Sequence, residues 1–252
     1  MQGGFPSCVF DTSDSSLHFL GGLRTAESFS GFSGQRATSP VGPVRKPSKA
    51  CRQSGHIRMS TVYFITHPDV VIDPSVPVPR WPLSPRGRMR MMAVLEGDWA
   101  SSIRVIYSST EQKAIDGAAI LSEALSVPYT AVPELGEHDR SATGYLLGPE
   151  FDAVVSEFFR QPEASVRGWE RAVDAQRRIV AATVAVLRFA PIDGDVAIVA
   201  HGGVGTLLLC HLSGSPISRD QDQPSTNGGN YFAFDQMTLR LIHGWRSIDK
   251  SK

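Results

Sequence analysis

The chain has 252 residues, of which 41% are hydrophobic and 20% are charged, and its formal net charge at pH 7 is zero. These values are typical of a soluble globular protein with one or two domains. The balanced charge argues against the strong basic field of a nucleic-acid-binding protein. No apolar stretch is long enough to cross a bilayer, so the sequence also predicts no membrane partner.

Cysteine usage bears on the cellular compartment. The three cysteines, Cys8, Cys51 and Cys210, do not have the spacing of metal ligands, and they cannot all pair with one another within the chain. A reducing compartment is the simplest explanation. The sequence therefore predicts a cytoplasmic protein.

Residues 1–58 differ in composition from the rest of the chain. They contain ten Ser and eight Gly, and only three acidic residues against seven Lys and Arg. They have no sustained apolar period and cannot bury enough surface to offset the entropy lost on ordering, which predicts disorder. Two origins stay open, a targeting leader and a mis-assigned start upstream of Met59. Residues 59–252 are predicted to form the folded domain.

From residue 61 onward, predicted strands and helices alternate. The first half begins with a buried strand, and Ser84 with Pro85 is a typical N-cap and first helical residue. The predicted strands cover residues 62–66, 103–107 and 127–132, and the predicted helices cover residues 85–95 and 111–125.

The second half continues the alternation. Helices are predicted at residues 148–159, 165–187 and 202–212, with strands at 195–200, 231–234 and 239–242. Such an order predicts an α/β protein, a three-layer α/β/α sandwich with a mostly parallel central sheet.

Two histidines directly follow predicted buried strands. His67 follows the first strand, and His201 follows the apolar run at residues 195–200. Open α/β sheets bind ligands at the carboxyl ends of their strands, so both imidazoles are expected in one crevice. Imidazole is the side chain best suited to nucleophilic attack or proton transfer near neutral pH. This pair therefore indicates a catalytic site.

Five short motifs along residues 61–245 extend this interpretation. They are Thr66-His67-Pro68, Leu83-Ser84-Pro85-Arg86-Gly87, Ser108-Ser109-Thr110 followed by Lys113-Ala114, Leu135-Gly136-Glu137, and Ala200-His201-Gly202-Gly203. In this order they resemble the histidine phosphatase superfamily, the phosphoglycerate mutase-like phosphatases. The resemblance implies a phosphoglycerate mutase-like fold and a hydrolase that cleaves a small phosphorylated substrate without a metal or other cofactor.

Three residues are assigned to catalysis. His67, as a neutral imidazole, would attack phosphorus and form a phosphohistidine that water later hydrolyses. Glu137 would be the general acid and then the base, a role that works best if its pKa is raised toward the operating pH. His201, in its protonated form, would stabilise the charge of the transition state.

The phosphate-binding residues depart from the family pattern. The family has arginine where this chain has Thr66 and Lys113, so two bidentate guanidinium groups become a hydroxyl and an ammonium. Arg140 is the best-placed residue to compensate, and Arg86 and Arg88 are weaker candidates. The remaining phosphate ligand is expected at Gly202, where backbone N–H groups begin a helix.

Three functions remain open. The first is a phosphatase acting through phosphohistidine, and the second is a catalytically impaired phospho-ligand binding protein on the same fold. The third is a metal-dependent hydrolase with ligands drawn from His67, Asp69, Glu137, His138 and His201, although their spacing matches no standard metal motif.

Substrate specificity is expected to come from residues 70–81 and from the segment between Glu137 and the long helix, chiefly residues 141–149. The first of these is rich in proline, which indicates a semi-rigid extended loop. Trp81 would then either form a stacking wall for the substrate or anchor the loop on the core. The substrate and the oligomeric state cannot be predicted from these patterns.

Overall fold

The structure is a computed structural model that describes residues 60–224 and 227–249. The predictions for residues 1–58 lie outside these residues. The strands are β1 (Thr61–Thr66), β2 (Ile103–Ser108), β3 (Tyr129–Ala131), β4 (Asp195–Ala200), β5 (Asn230–Asp235) and β6 (Leu241–Ser247). The α-helices are α1 (Pro85–Met92), α2 (Gln112–Leu125), α3 (Gly148–Arg160), α4 (Ala172–Leu187) and α5 (Gly202–Leu212). None of the helices in the described part could span a membrane.

The strands form one six-stranded sheet in the order β3-β2-β4-β1-β5-β6. The first four strands of this order pair in parallel, and β5 and β6 join as antiparallel strands at one edge. The prediction of a mostly parallel central sheet is confirmed. Because β4 and β1 are neighbours, their carboxyl ends meet at the same edge of the sheet.

Alternation along β1 divides the core between the two faces of the sheet. Val62 and Phe64 pack with α3, α4 and α5 on one face, whereas Tyr63 and Ile65 pack with α1 and α2 on the other. Phe64 is fully buried and stacks on Phe232 of β5, with ring centroids 5.0 Å apart. Helices therefore cover both faces, which confirms the predicted three-layer sandwich.

Local signals determined several element boundaries. Ser84 is the N-cap of α1, where its Oγ accepts a hydrogen bond from the backbone N–H of Gly87 at 3.0 Å, and Pro85 is the first helical residue. The α-helix ends at Met92 and continues as a short 3-10 helix at Ala93–Glu96. The predicted span of residues 85–95 is thus confirmed, with a change of helix type near its end.

Two predicted boundaries were wrong. The helix predicted from residue 165 begins at Ala172, because Arg167 and Gly168 have φ values of 49° and 83°, which an α-helix cannot contain. The strand predicted at residues 239–242 instead covers Leu241–Ser247, because Leu239 has a φ of 56° in the turn that follows β5. In both places the apolar pattern continues through a turn of the backbone.

Candidate active site

His67 and His201 meet at the carboxyl ends of β1 and β4. Thr66 pairs with Ala200 in the sheet, and the backbone N–H of His67 donates to the carbonyl of Ala200 at 3.0 Å. The imidazole centroids are 5.2 Å apart and the rings are inclined by 67°. The predicted convergence of the two histidines is confirmed.

The His67 ring is held in one orientation. Its Nδ1 lies 3.0 Å from the carbonyl oxygen of Pro68, which accepts a hydrogen bond and so selects Nδ1 as the protonated nitrogen. Burial, and next the nearby His201 and Lys113, lower the pKa of His67 to about 3. The ring is therefore neutral at physiological pH and carries its lone pair on Nε2.

The backbone around His67 is supported from the loop before β5. The carbonyl of His67 accepts a hydrogen bond from the N–H of Gly229 at 3.3 Å. Gly228 has a φ of 71°, and a Cβ there would lie 2.0 Å from the His67 carbonyl oxygen, so only glycine fits. Arg90 is buried, donates to the Gly228 carbonyl at 3.0 Å and forms an ion pair with Asp69 at 2.7 Å. This network fixes the turn that carries His67.

The Glu137 carboxylate sits at the N-terminus of α5. Its oxygens accept hydrogen bonds from the backbone N–H groups of Gly203 at 3.0 Å and Val204 at 2.9 Å. His138 contributes both its own backbone N–H and its Nδ1, each 3.1 Å from Oε1 of Glu137. Helix N-termini favour negative charge, so these contacts stabilise the ionised form of Glu137.

The pKa of Glu137 moves in the direction opposite to the expectation. Burial alone would raise it, but the charge and hydrogen bond of His138, with His201 and Arg140 nearby, hold the pKa of Glu137 well below its ordinary value. In this arrangement Glu137 is a carboxylate, and its pKa is lowered where a raised value was expected for a general acid.

His201 is completely buried. Its Nε2 lies 2.8 Å from Ser109 Oγ and 3.4 Å from an oxygen of Glu111, whereas its Nδ1 has no hydrogen-bond partner among the described residues. Burial lowers the pKa of His201 despite the opposing effect of Glu111 and Glu137. The lowered pKa favours a neutral His201 where a protonated ring was expected, and the carboxylate nearby favours the neutral tautomer with its proton on Nε2.

Glu111 is a site residue that sequence reasoning missed. One carboxylate oxygen accepts the backbone N–H of Glu137 at 2.9 Å, and the other forms an ion pair with Lys113. Burial opposes its ionisation, but His201 and Lys113 lower the pKa of Glu111 to about 2. The available signal was its position, an acidic residue directly before α2 and between the Ser108-Ser109 and Lys113 motifs.

Lys113 is buried, and its charge is already paired. Besides Glu111, its Nζ contacts the carbonyl oxygen of Val78 at 3.1 Å. Only 5% of the Lys113 side chain is exposed, so this predicted phosphate ligand is buried beside Glu111.

Thr66 does not offer its hydroxyl to the crevice. The residue is fully buried, and its Oγ1 accepts the backbone N–H of Asn230 at 3.0 Å and donates to Gln223 Oε1 at 2.9 Å. These two bonds occupy the hydroxyl proton and an oxygen lone pair. The expectation that Thr66 binds phosphate is therefore not supported by the geometry.

The substitution Thr66→Val tests this correction. It removes the side-chain oxygen that accepts the N–H of Asn230, so we expect the free energy of unfolding to fall by about 1–3 kcal/mol, with KM for phosphomonoesters unchanged. The matched control is Thr183→Val, since the buried Thr183 hydroxyl has no partner among the described residues and its loss should not destabilise the fold. A raised KM with unchanged stability would restore Thr66 as a phosphate ligand.

The other predicted phosphate ligands lie in different settings. The N–H groups of Gly203 and Val204 donate to Glu137, so the start of α5 already holds an anion of the chain itself. A Cβ at Gly202 would meet Nε2 of Gln223 at 2.2 Å, so a larger residue there would require the Gln223 side chain to move. Arg140 remains close to the site, with its guanidinium 4.9 Å from the centroid of Phe151.

Arg86 and Arg88 do not replace the missing arginines. Arg86 is largely exposed and lies 3.8 Å from Asp69, whereas Arg88 pairs with Asp116 at 3.3 Å. Within the described residues Arg140 has no ion-pair partner closer than 4 Å. It is therefore the one predicted cation of the site whose charge is not already paired by a carboxylate there.

A cavity of about 590 Å³ adjoins these groups. Residues 74–79 and 137–141 line it, together with Glu111, Gly144 and Tyr145. Both segments predicted to determine substrate specificity therefore contribute to the lining of this cavity. Trp81 is buried and donates to the carbonyls of Asp73 and Val76, both at 2.9 Å, so it anchors the proline-rich loop.

The proposed metal ligands do not converge. Asp69 is paired with Arg90, and the His138 ring stacks on Phe158 with centroids 4.5 Å apart. Across residues 60–224 and 227–249 no group of three or more His, Cys, Asp or Glu side chains is arranged to hold a metal ion. The metal-dependent alternative has no donor set in this part of the chain.

Comparison with known proteins agrees with the arrangement. The sequence model of the histidine phosphatase superfamily (branch 1) matches residues 78–231, more than half of the chain. The chain belongs to the histidine phosphatase superfamily. The match includes Lys113, Glu137 and His201. It begins after His67, which the structure places in the site at the end of β1. No curated protein matches this superfamily member significantly.

Solved structures share the fold of this histidine phosphatase superfamily member. A mycobacterial glucosyl-3-phosphoglycerate phosphatase in complex with inorganic phosphate is 20% identical, with a TM-score of 0.62 over 76% of this chain and 100% of that one. YhfR of Bacillus stearothermophilus is 21% identical, with a TM-score of 0.61 over 76% of this chain and 98% of that one. At these identities the likeness concerns the fold.

Proposed function

We propose that this protein is a phosphomonoesterase that acts through a phosphohistidine on a small phosphorylated substrate. The observation that carries the proposal is the His67 ring, which is neutral, oriented through Nδ1, and 5.2 Å from His201. A neutral imidazole with a fixed tautomer presents a lone pair to phosphorus without a base to activate it. Two further observations support phosphoryl transfer through a histidine. The chain belongs to the superfamily, and His67 and His201 lie together in one crevice.

The first step forms the phosphoenzyme. Nε2 of His67 attacks phosphorus, the bond to the ester oxygen breaks, and the leaving oxygen takes a proton from Glu137. A phosphoryl dianion beside Glu137 raises the pKa of that carboxyl by repulsion, so it takes up this proton when the substrate binds. His201 donates from Nε2 to a phosphoryl oxygen as the charge develops.

The second step regenerates the free enzyme. Glu137, now ionised, accepts a proton from water, and the water oxygen attacks phosphorus as the bond to His67 Nε2 breaks. Inorganic phosphate leaves, and the imidazole recovers its lone pair. No metal ion takes part in either step of the proposal.

A second function, binding of a phosphorylated ligand without turnover, is favoured by one specific observation. The charge of Lys113 is paired with Glu111, so the residues around the expected phosphoryl position supply little unpaired positive charge. Phosphoryl transfer depends on such charge around the equatorial oxygens. This candidate predicts saturable binding of phosphomonoesters and no phosphate release.

The experiment measures phosphate release by the full chain from a panel of phosphomonoesters in the presence of EDTA. We expect turnover that resists the chelator and, after an acid-free quench, a ³¹P NMR signal of phosphohistidine. Binding without release would support the second candidate, and turnover that is abolished by EDTA and restored by added metal would contradict both. Heat-denatured protein is the control for contaminating phosphate.

A further inference from the structure

The carboxylate of Glu111 is held by two donors in the crevice and lies close to a third. Nζ of Lys113 and the backbone N–H of Glu137 at 2.9 Å bind it, and Nε2 of His201, which is hydrogen-bonded to Ser109 Oγ, lies 3.4 Å from it. An ammonium, a backbone amide and an imidazole N–H are the groups that bind phosphoryl oxygens in proteins. Here they surround an anion that belongs to the chain itself.

This role is not explained by the position of Glu111 before α2. Glu111 is the N-cap residue, but its side chain makes no capping hydrogen bond to the helix. Its own backbone N–H is bound by Ser109 Oγ at 3.0 Å, the same hydroxyl that contacts His201. The side chain is directed across the crevice toward Lys113 and His201.

The position is also accessible from outside. Glu111 lines the cavity of about 590 Å³, and its side chain is 13% exposed, whereas that of Lys113 is 5% exposed. An entering anion therefore meets the carboxylate of Glu111 before it can reach the ammonium behind it. Two anions cannot share these donors, because like charges a few ångströms apart repel strongly in a partly buried site.

We propose that Glu111 occupies the anion-binding position of this site and competes with the phosphoryl group, which makes it a residue that determines ligand specificity. This inference rests on the proposed function, in that a phosphoryl group is the ligand displaced. Inorganic phosphate gains too little to displace the carboxylate. A substrate displaces it by adding contacts with the apolar wall at residues 74–79.

The test measures affinity for inorganic phosphate by calorimetry and by thermal shift for the wild-type chain and Glu111→Gln. The amide keeps the size of the side chain and removes its charge, so Lys113 becomes available. We expect the dissociation constant for phosphate to fall at least about tenfold, the scale of one charge-assisted hydrogen bond. The matched control is Glu123→Gln, which removes an exposed charge from the same helix region and should leave phosphate affinity unchanged.

The double substitution Glu111→Gln with Lys113→Gln provides the second variant. It removes the ion pair as a unit and should bind phosphate no more tightly than the wild type, since the freed cation is gone. If Glu111→Gln is too unstable to titrate, phosphate should raise its melting temperature by more than it raises that of the wild type. An unchanged phosphate affinity, or an unchanged response of the melting temperature, would overturn the inference.

The outcomes separate this inference from the proposed function. Tighter phosphate binding by Glu111→Gln without phosphate release by any variant would support the role of Glu111 and count against the phosphatase. Phosphate release by the wild type, together with equal phosphate affinity in the wild type and Glu111→Gln, would support the phosphatase and count against the role of Glu111. The binding measurement uses inorganic phosphate and therefore does not depend on turnover.

Discussion

His67→Ala is expected to abolish phosphate release, with kcat lower by at least about 10³-fold, as for the loss of a nucleophile in other covalent enzymes. The physical reason is that Nε2 of His67 is the atom that bonds to phosphorus, and no other imidazole in the crevice can take over. His201 is 5.2 Å away, but its Nε2 is bound to Ser109 and directed toward Glu111.

The measurement combines the steady-state rate with ³¹P detection of the phosphoenzyme. His211→Ala is the matched control, because His211 is an exposed histidine on α5. We expect His211→Ala to retain both the rate and the phosphohistidine signal. Wild-type rates in His67→Ala would refute the covalent mechanism, and a full phosphoenzyme signal in that variant would place the nucleophile elsewhere.

Glu137→Gln is expected to lower kcat by about 10²-fold or more, the usual contribution of a general acid or base. It should also lower the free energy of unfolding by about 2 kcal/mol at neutral pH. The structural reason is that both oxygens of Glu137 accept hydrogen bonds, from the N–H groups of Gly203 and Val204. The amide can offer one acceptor and places an NH₂ group against the other donor.

The stability loss should depend on pH with a definite sign. The pKa of Glu137 is held well below its ordinary value of 4.5, so the unfolded chain binds this proton more readily than the folded one. Its stabilising contribution is present in full above about pH 4.5 and is lost as the pH falls toward the folded pKa. The difference in unfolding free energy between wild type and Glu137→Gln should therefore shrink below that pH.

Urea denaturation of both proteins between pH 3 and pH 7 measures this difference. Glu134→Gln is the control, since Glu134 is exposed three residues earlier and lies in the same segment. It should change neither kcat nor the pH dependence. A Glu137→Gln protein with wild-type kcat would remove Glu137 from the proposed mechanism.

The position of the two crevice histidines could be predicted because it follows from local pattern. A buried strand is a continuous apolar run, and the residue after it lies at the end of the strand whatever the rest of the fold does. Adjacent parallel strands then bring His67 and His201 together. The cap of α1 at Ser84 was predictable for the same reason, because Ser84 and Gly87 are three residues apart.

The α/β class, the order of the elements and the positions of His67 and His201 could thus be predicted from the sequence, since they depend on periodicity and short-range signals. The partner that each polar side chain binds depends on the folded chain. Thr66 is bonded to Gln223, 157 positions away, and Glu137 to Gly203, 66 positions away. These distant partners determine the burial, the hydrogen bonds and the pKa of each polar side chain, and a local sequence pattern does not predict them. For this reason the pairing of Glu111 with Lys113 and His201 emerged only when the chain was folded.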